Sequence, residues 1–531
     1  MTTSPALEAE VGFAPTEERS TRWWARLAGA VAGLIGLAVA DLTAWLMAPA
    51  SSVVPAVGEL IIGLLPASLV NWGKDTLGTA DKPVLLIMIF AGVLVLAGLA
   101  GQFELRRPYG GATVFVGLAV IAVVALAVAA DVQVRGYLTV LIGLLLGYLA
   151  LRAMINRLRN WRTKSGAQGV NAGNAESTAR RRFLGLTALF GAAATVTAIA
   201  SRVLLNAAGA VSEARSRFQL PRATKTAEPV PPGADLELRG LTPYQTPNAD
   251  FYRIDTALQV PLIDPATWSL TITGMVQNEI TINYADLVAK PLVEHYTTLT
   301  CVSNEVGGDL AGNALWLGYP IRQLLAEAKP RPEADMVLST SDDGWTAGTP
   351  LSALTDPDRE ALLAIGMNGE PLPIEHGFPV RMVVPGLYGY VSATKWVRSL
   401  KVTTFDQDEG YWTPLGWAAR GPIKIASRID VPRRSVQAGT VVVAGVAWAQ
   451  HVGIGGVQVQ VDGGEWQPAE LAETTGPDTW RQWRFSWVAT EGTHELAVRA
   501  TDTKGNLQTA AEAPPAPDGA TGYHKIKVKV R

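Results

Sequence analysis

The sequence predicts a multi-domain protein: an α-helical membrane bundle of about five spans, then an α+β domain, then a C-terminal β-sandwich. Three observations carry this reading. Residues 23–205 are rich in Ala, Leu, Val and Gly, with charges confined to short clusters. Residues 240–426 turn to short strands punctuated by Gly and Pro, and from about Ala426 onward strands recur at even spacing. A chain of 531 residues has room for three or four domains. With 45 basic and 47 acidic residues and a net charge of −2, nothing points to a nucleic-acid partner.

Uncharged runs at about 27–47, 83–103, 110–130, 136–151 and 183–205 approach or reach the ~20 apolar residues that cross a hydrocarbon core. Asp41 is expensive at mid-bilayer but tolerable near the outer end of the first run. The stretch Val53–Trp72 is broken by Pro55, Glu59 and Pro66 and reads as interfacial or re-entrant. Arg19, Arg22 and Arg26, then Arg106 and Arg107, then Arg152 to Arg182 fall in alternate loops. The positive-inside rule therefore places the N-terminus in the cytoplasm and residues 206–531 outside a plasma membrane, with lipid around the bundle.

Before the last run stands Arg180-Arg181-Arg182-Phe183-Leu184, which fits the core of a twin-arginine export signal spanning 180–205. Its alternative is three arginines obeying the positive-inside rule. The preceding segment 164–179 is polar and linker-like, as a signal's leader would be. Such export carries folded, commonly cofactor-loaded domains, so the outer half is expected to hold a cofactor. No cleavage site is obvious, so the helix is expected to stay as an anchor, followed by a Pro-rich, charged tether over 206–240.

Within 241–426, Trp268–Gly274 alternates as a strand does, Tyr319–Ala328 has helical spacing, and His376–Pro385 is a strand entered through a turn. Over 427–531, Thr440–Trp448, Val457–Val461, Trp480–Val488 and Glu495–Asp502 read as strands, with Asp462-Gly463-Gly464 as a hairpin turn. That spacing suggests an immunoglobulin-like β-sandwich.

Cys301, the only cysteine, sits in Thr300-Cys301-Val302-Ser303-Asn304. It cannot form an intramolecular disulfide, so it is either an inert core residue or a thiolate with a chemical role. The motifs around it decide for the thiolate. Phe251-Tyr252-Arg253-Ile254-Asp255 leads into Val260-Pro261. The Cys301-x-x-Asn304 loop is followed by Gly312–Leu325, expected as a helix. Then come Met367-Asn368-Gly369-Glu370-Pro371, His376–Arg381, Val383–Gly386 and Lys395-Trp396. In this order they resemble the sulfite oxidase family of molybdenum-cofactor enzymes, over roughly 240–531. The resemblance implies a sulfite-oxidase-type α+β cofactor domain and a C-terminal domain through which a homodimer could form. It implies a molybdenum–molybdopterin cofactor with Cys301 as metal ligand, which suits a soft anionic thiolate. His376, Arg381 and Lys395, with Ser392 and Thr394 near the phosphate end, would bind the cofactor. Asn304 belongs to the ligand loop, and Asp250, Arg253 and Ile254 would line the pterin.

The sequence departs from the family where substrate binds. The sulfite-binding arginine falls on Asp255 and the active-site tyrosine on Trp345. Asp255 and Trp345 are therefore candidate catalytic residues beside Cys301, and oxygen-atom transfer on a neutral or cationic small molecule fits better than sulfite oxidation. Asp255 has a structural alternative, a buried pair with a neighbouring arginine such as Arg253. No histidine precedes His295, so no haem is expected in this chain, and electrons would pass through a separate cytochrome or a quinone. Sulfite oxidase proper and a non-catalytic binding protein are the alternative functions.

Overall fold

The computed structural model describes residues 15–531 apart from 48–52, 67–68, 70–75, 77–80, 129–133, 166–171, 206–210, 212–214, 258–259 and 434. Two compact units result, Met1–Ala208 and Gly209–Arg531.

The first unit is helical: α1 (Pro15–Met47), α2 (Val53–Leu64), α3 (Asp81–Arg106), α4 (Gly110–Val128), α5 (Val134–Ser165) and α6 (Ala172–Leu205). Among the described residues four segments are long and apolar enough to cross a membrane: Ser20–Ala44, Val84–Arg106, Gly110–Val128 and Arg135–Ser165. The fifth expected span, 183–205, lies in α6, but the side chains of 198–205 fall outside the described residues. At 12 residues α2 is too short to span. The expected linker over 164–179 is a correction: α5 runs to Ser165 and α6 starts at Ala172. Ala, Glu and Arg in 172–182 are good helix formers, so α6 extends well ahead of its apolar part.

Glycines set how closely the helices pack. A Cβ on Gly29 would stand 2.0 Å from the Ala97 carbonyl oxygen, and one on Gly101 2.0 Å from that of Ala25. The backbones of α1 and α3 therefore touch with no side chain between them. Phe183, fully buried, sits 6.0 Å from Trp24 and 5.8 Å from Trp161. The buried Glu104 carboxylate caps α4, accepting from the Gly111 N–H at 3.0 Å and the Tyr109 N–H at 3.3 Å.

Residues 218–240 of the second unit are largely irregular but no free tether. Thr224 N–H donates to Leu292 O at 2.8 Å and Glu294 N–H to Lys225 O at 2.9 Å. Phe218 packs 5.3 Å from Tyr284. The backbone groups at a sheet edge capture this segment. Ten strands follow: β1 (Ser269–Gly274), β2 (Ile280–Asn283), β3 (Val293–Thr300), β4 (Ala311–Pro320), β5 (Met336–Ser341), β6 (Thr346–Pro350), β7 (Leu362–Met367), β8 (Glu370–Pro371), β9 (Arg381–Val383) and β10 (Val397–Thr403). They form two sheets, β2-β1-β10-β5-β6 and β3-β4-β7-β8, with β9 pairing with β7. Residues 312–320, expected as the start of a helix, belong to β4 instead. The helix is confined to Ile321–Ala328, behind Pro320, whose ring fits ahead of a helix but not inside one.

Eight more strands complete the unit: β11 (Ala426–Val431), β12 (Gly439–Trp448), β13 (Ile454–Val461), β14 (Gln467–Pro468), β15 (Glu470–Leu471), β16 (Arg481–Ala489), β17 (Gly492–Asp502) and β18 (His524–Val530). They make two four-stranded sheets, β11-β12-β16-β15 and β14-β13-β17-β18. One core of Ile429, Val443, Val459, Trp483 and Val498 draws on both. Asp462 and Gly463 take φ values of 50° and 71°, the left-handed pair a two-residue hairpin turn requires. The β11–β18 part is bound to the rest of the unit through Asp478, whose carboxylate meets His295 Nε2 at 2.8 Å and His451 Nδ1 at 2.9 Å.

The close α1–α3 crossing yields a direct test. Gly29→Val should cost about 1–3 kcal/mol through overpacking, read as an earlier unfolding midpoint of the helical unit in detergent. Gly63→Val, where a Cβ meets nothing within 4 Å, serves as control.

Candidate active site

Antiparallel β3 and β4 pair up to Thr300↔Ala311, and the chain between them is a loop that opens on Cys301. Cys301 N–H donates to Leu310 O at 2.9 Å, closing the loop's neck, and Asn304 Oδ1 accepts from Leu310 N–H at 2.8 Å. Asn304 is thus the staple of the loop, its oxygen turned to the loop's own backbone. The Cys301 thiol is buried, and the Ser303 N–H points at its sulfur at 3.4 Å. Backbone donors to sulfur favour the thiolate over the thiol.

Three further expected residues, Arg381, His376 and Lys395, are buried as well. Arg381, at the head of β9, is 5 % exposed and its guanidinium lies 5.0 Å over the Trp316 ring. Its N–H groups reach only backbone carbonyls: His376 O at 3.1 Å, Met382 O at 3.4 Å and Ala393 O at 3.5 Å. Among the described residues no carboxylate pairs with it. Burial lowers its pKa to about 10. A buried guanidinium without an anion is costly, and the geometry suits a bound phosphate. His376 Nε2 lies 3.3 Å from Asn248 O, which makes it the protonated nitrogen of a neutral ring. Burial first, then the Arg381 and Lys395 charges, push its pKa down to about 4.

Lys395 is buried, its ammonium 2.6 Å from Asp255 Oδ2 and 3.1 Å from Glu375 O. Burial lowers its pKa to about 8 against the opposing pull of Asp255. The same Asp255 oxygen takes Arg253 Nε at 3.0 Å. Asp255 therefore occupies the position its structural alternative described, held between two cations. Both cations meet the same oxygen, so the carboxylate's charge is offset within the protein.

The remaining expected residues separate. Asp250 and Ile254 are exposed, on the 3-10 turn Asn248–Asp250 and the chain just after it. Ser392 donates to Tyr388 O at 2.9 Å, and Thr394 shares a 2.6 Å hydrogen bond with Ser339. Both hydroxyls are engaged by the protein, because each sits fully buried where an unmet hydroxyl is costly. Trp345 sits in the β5–β6 turn, which is tied to the bend carrying Lys395, just ahead of β10, by a 2.8 Å bond from Asp342 N–H to Trp396 O. Its indole Nε1 is buried and has no hydrogen-bond partner among the described residues.

Phe251 and Tyr252, which open the motif of Arg253 and Asp255, pack in the same region. Desolvation pushes the Tyr252 phenol far up, and a Cβ on Gly389 would stand 3.9 Å from its hydroxyl and 3.8 Å from Thr300 O, one residue before Cys301. Phe251 stacks on Tyr252 at 5.2 Å and turns its edge to His376 at 5.6 Å. The signal was present: both stand in the motif that supplied Arg253 and Asp255.

The family model described as "Oxidoreductase molybdopterin binding domain" matches residues 257–412. The uncharacterized oxidoreductase YuiH of Bacillus subtilis is 34% identical over 158 residues, which cover 30% of this chain and 76% of that protein. The chain belongs to the sulfite oxidase family of molybdopterin oxidoreductases. Mitochondrial sulfite oxidase of Homo sapiens is 31% identical over 325 residues, 51% of this chain and 58% of the relative. The family match thus spans little more than half the length of that relative. The crystal structure of the sulfane dehydrogenase SoxCD from Paracoccus pantotrophus aligns at 24% identity with a TM-score of 0.48, over 54% of this chain and 82% of that one. For this family member the donor set fits its cofactor: one buried thiol, one buried guanidinium lacking an anion, and a neutral imidazole.

The His376 environment sets a pH dependence. Its folded pKa of about 4 lies below the ordinary 6.5, so the unfolded chain binds the extra proton between those values. Stability of the cofactor-free chain should fall as pH drops from 6.5 through 4, by on the order of 3 kcal/mol from this residue. Denaturation at pH 4.5 and 7 should show a smaller acid loss in His376→Gln than in the native chain.

Proposed function

We propose that this family member is a membrane-anchored, outward-facing enzyme that transfers an oxygen atom to or from a small organic molecule. The observation that carries the reading is Arg381, a buried cation that meets no carboxylate among the described residues, lying over Trp316, against which Phe251 and its stacked partner Tyr252 pack beside the chain that enters the Cys301 loop. Cys301 would ligate molybdenum; Arg381, His376 and Lys395 would hold the cofactor's phosphate and pterin. When bound, the cofactor supplies the oxygen-transfer and electron-accepting chemistry. Arg253 and Asp255 orient Lys395, and Asn304 holds the loop that presents Cys301. Asp250, Arg253 and Ile254 would line the pterin, and Ser392 and Thr394 would stand near the phosphate end.

The substrate reading leans on Trp345. Asp255 carries less weight against an anion than an unpaired carboxylate would, because Arg253 and Lys395 neutralise it. Trp345 offers an apolar face and one N–H that lacks an acceptor, which suits an organic S-oxide or N-oxide better than a hydrated oxyanion. A cytochrome or a quinone would carry the electrons. The domain plan is a membrane domain over 1–205, a connecting segment 206–240, a cofactor domain over 241–426, and an immunoglobulin-like domain over 427–531 that would pair two copies. Four apolar helices and their basic loops support a plasma-membrane location with residues 206–531 outside.

Metal analysis of the purified chain should give one molybdenum per chain, and Cys301→Ser should abolish turnover while leaving the melting profile intact. Full activity in that variant rejects the mechanism, and efficient sulfite turnover by the native enzyme rejects the substrate reading. Replacing Arg180 and Arg181 with Lys should leave the first helices inserted but strand the enzyme domain inside. Protease accessibility from outside in that variant would leave only the positive-inside role for the arginines.

A further inference from the structure

We infer that the C-terminal β11–β18 domain is part of the redox centre's housing, with Arg428 and Gln450 as positioning residues for Cys301. This rests on the reading of Cys301 as the functional thiolate. Arg428, on β11, is buried and donates from Nη1 to Gly308 O at 2.7 Å, inside the loop that opens on Cys301. The rest of its guanidinium is fixed: Nε meets Asp430 Oδ1 at 2.6 Å and Nη2 meets Thr242 Oγ1 at 2.7 Å. His524, on β18, presses on the neighbouring Gly307. A Cβ there would stand 2.4 Å from its ring, and φ of +81° already demands glycine. His524 Nδ1 accepts the Ile429 N–H at 3.0 Å, which fixes the ring.

The strand entering the loop is gripped from the same domain. Gln450 Nε2 donates to Thr298 O at 3.1 Å and to Thr300 Oγ1 at 3.0 Å, one residue before Cys301. Trp480 N–H donates to Thr298 Oγ1 at 2.8 Å, and Thr298 N–H to Asp478 O at 2.9 Å. Both ends of the loop region are therefore held by one domain, while its neck is closed by Cys301 and Leu310. The Ser303 N–H that faces the sulfur depends on this loop shape, and hydrogen bonds to a ligating sulfur tune a metal's potential.

The test uses the full-length chain in detergent, first without cofactor. Because Cys301 is the only cysteine, iodoacetamide reports on it alone. In Arg428→Lys the amine can keep Asp430 but cannot also reach Gly308 O and Thr242. Gln450→Met removes both donors together with an Oε1 that has no partner, so it is the variant expected to fold well. Both should show several-fold faster alkylation with a shifted pH profile at an unchanged melting temperature. Arg484→Ala, which breaks the exposed pair with Glu470, should match the native rate. In the molybdenum-loaded enzyme the same two variants should change the Mo(V) paramagnetic resonance signature. Native alkylation rates in the folded variants overturn the inference, and Gln450→Met decides alone if Arg428→Lys does not fold. Altered alkylation in a chain that never takes up molybdenum upholds the positioning role and rejects the proposed function instead.

Discussion

The folded unit must bury Arg381, and among the described residues no carboxylate meets it. Desolvating a guanidinium costs several kcal/mol, and backbone carbonyls at 3.1–3.5 Å with an aromatic face at 5.0 Å return only part of that. Much of the surrounding design follows. His376 is held neutral, since a second buried charge beside Arg381 would add repulsion. Lys395 receives Asp255 as a partner, while Arg381 meets only backbone carbonyls and the Trp316 ring among the described residues. A protein that needed only stability would place an apolar residue at 381. A site that binds a phosphate needs the cation, and the deficit in the empty protein becomes affinity for the ligand that removes it.

Much of the architecture was legible in local sequence because local physics sets it. Alternation marked β1, the spacing after Pro320 marked the helix over Ile321–Ala328, and Asp462-Gly463 marked a hairpin that needs left-handed residues. The misread stretch 312–320 shows where such reasoning stops. Asn313, Ala314, Trp316 and Leu317 are all buried, and a strand covered on both faces loses the alternation that distinguishes it from a helix. The capture of 218–227 along β3 was likewise illegible, because it depends on an edge provided by residues about seventy positions away.

At the site, sequence order found the residue types but not their pairings. Cys301, His376, Arg381 and Lys395 were legible because each is a residue type whose chemistry has few substitutes; all four are buried. Hydroxyls carried no such information. Ser392 and Thr394 stand in the expected segment, yet their protons go to Tyr388 O and to the hydrogen bond shared with Ser339. Asp255 is the sharpest case. Its charge suggested repulsion of an anion, but a carboxylate is only as negative as its partners leave it, and Arg253 and Lys395 both bind the same oxygen.

The domain after Ala426 changes how the cofactor part should be understood. A sheet domain kept only for association would need no buried polar reach into its neighbour. Arg428 and Gln450 are 5 % and 3 % exposed, and each donates to backbone within or just before the Cys301 loop. Gln450 leaves its own Oε1 without a partner to do so, a cost of about 1–3 kcal/mol that packing alone would have avoided with an apolar side chain. Holding a loop against thermal motion requires contacts at both of its ends. Here those contacts come from β11, from the chain after β12 and from the chain leading into β16, so the position of one sulfur depends on a domain that begins more than a hundred residues later.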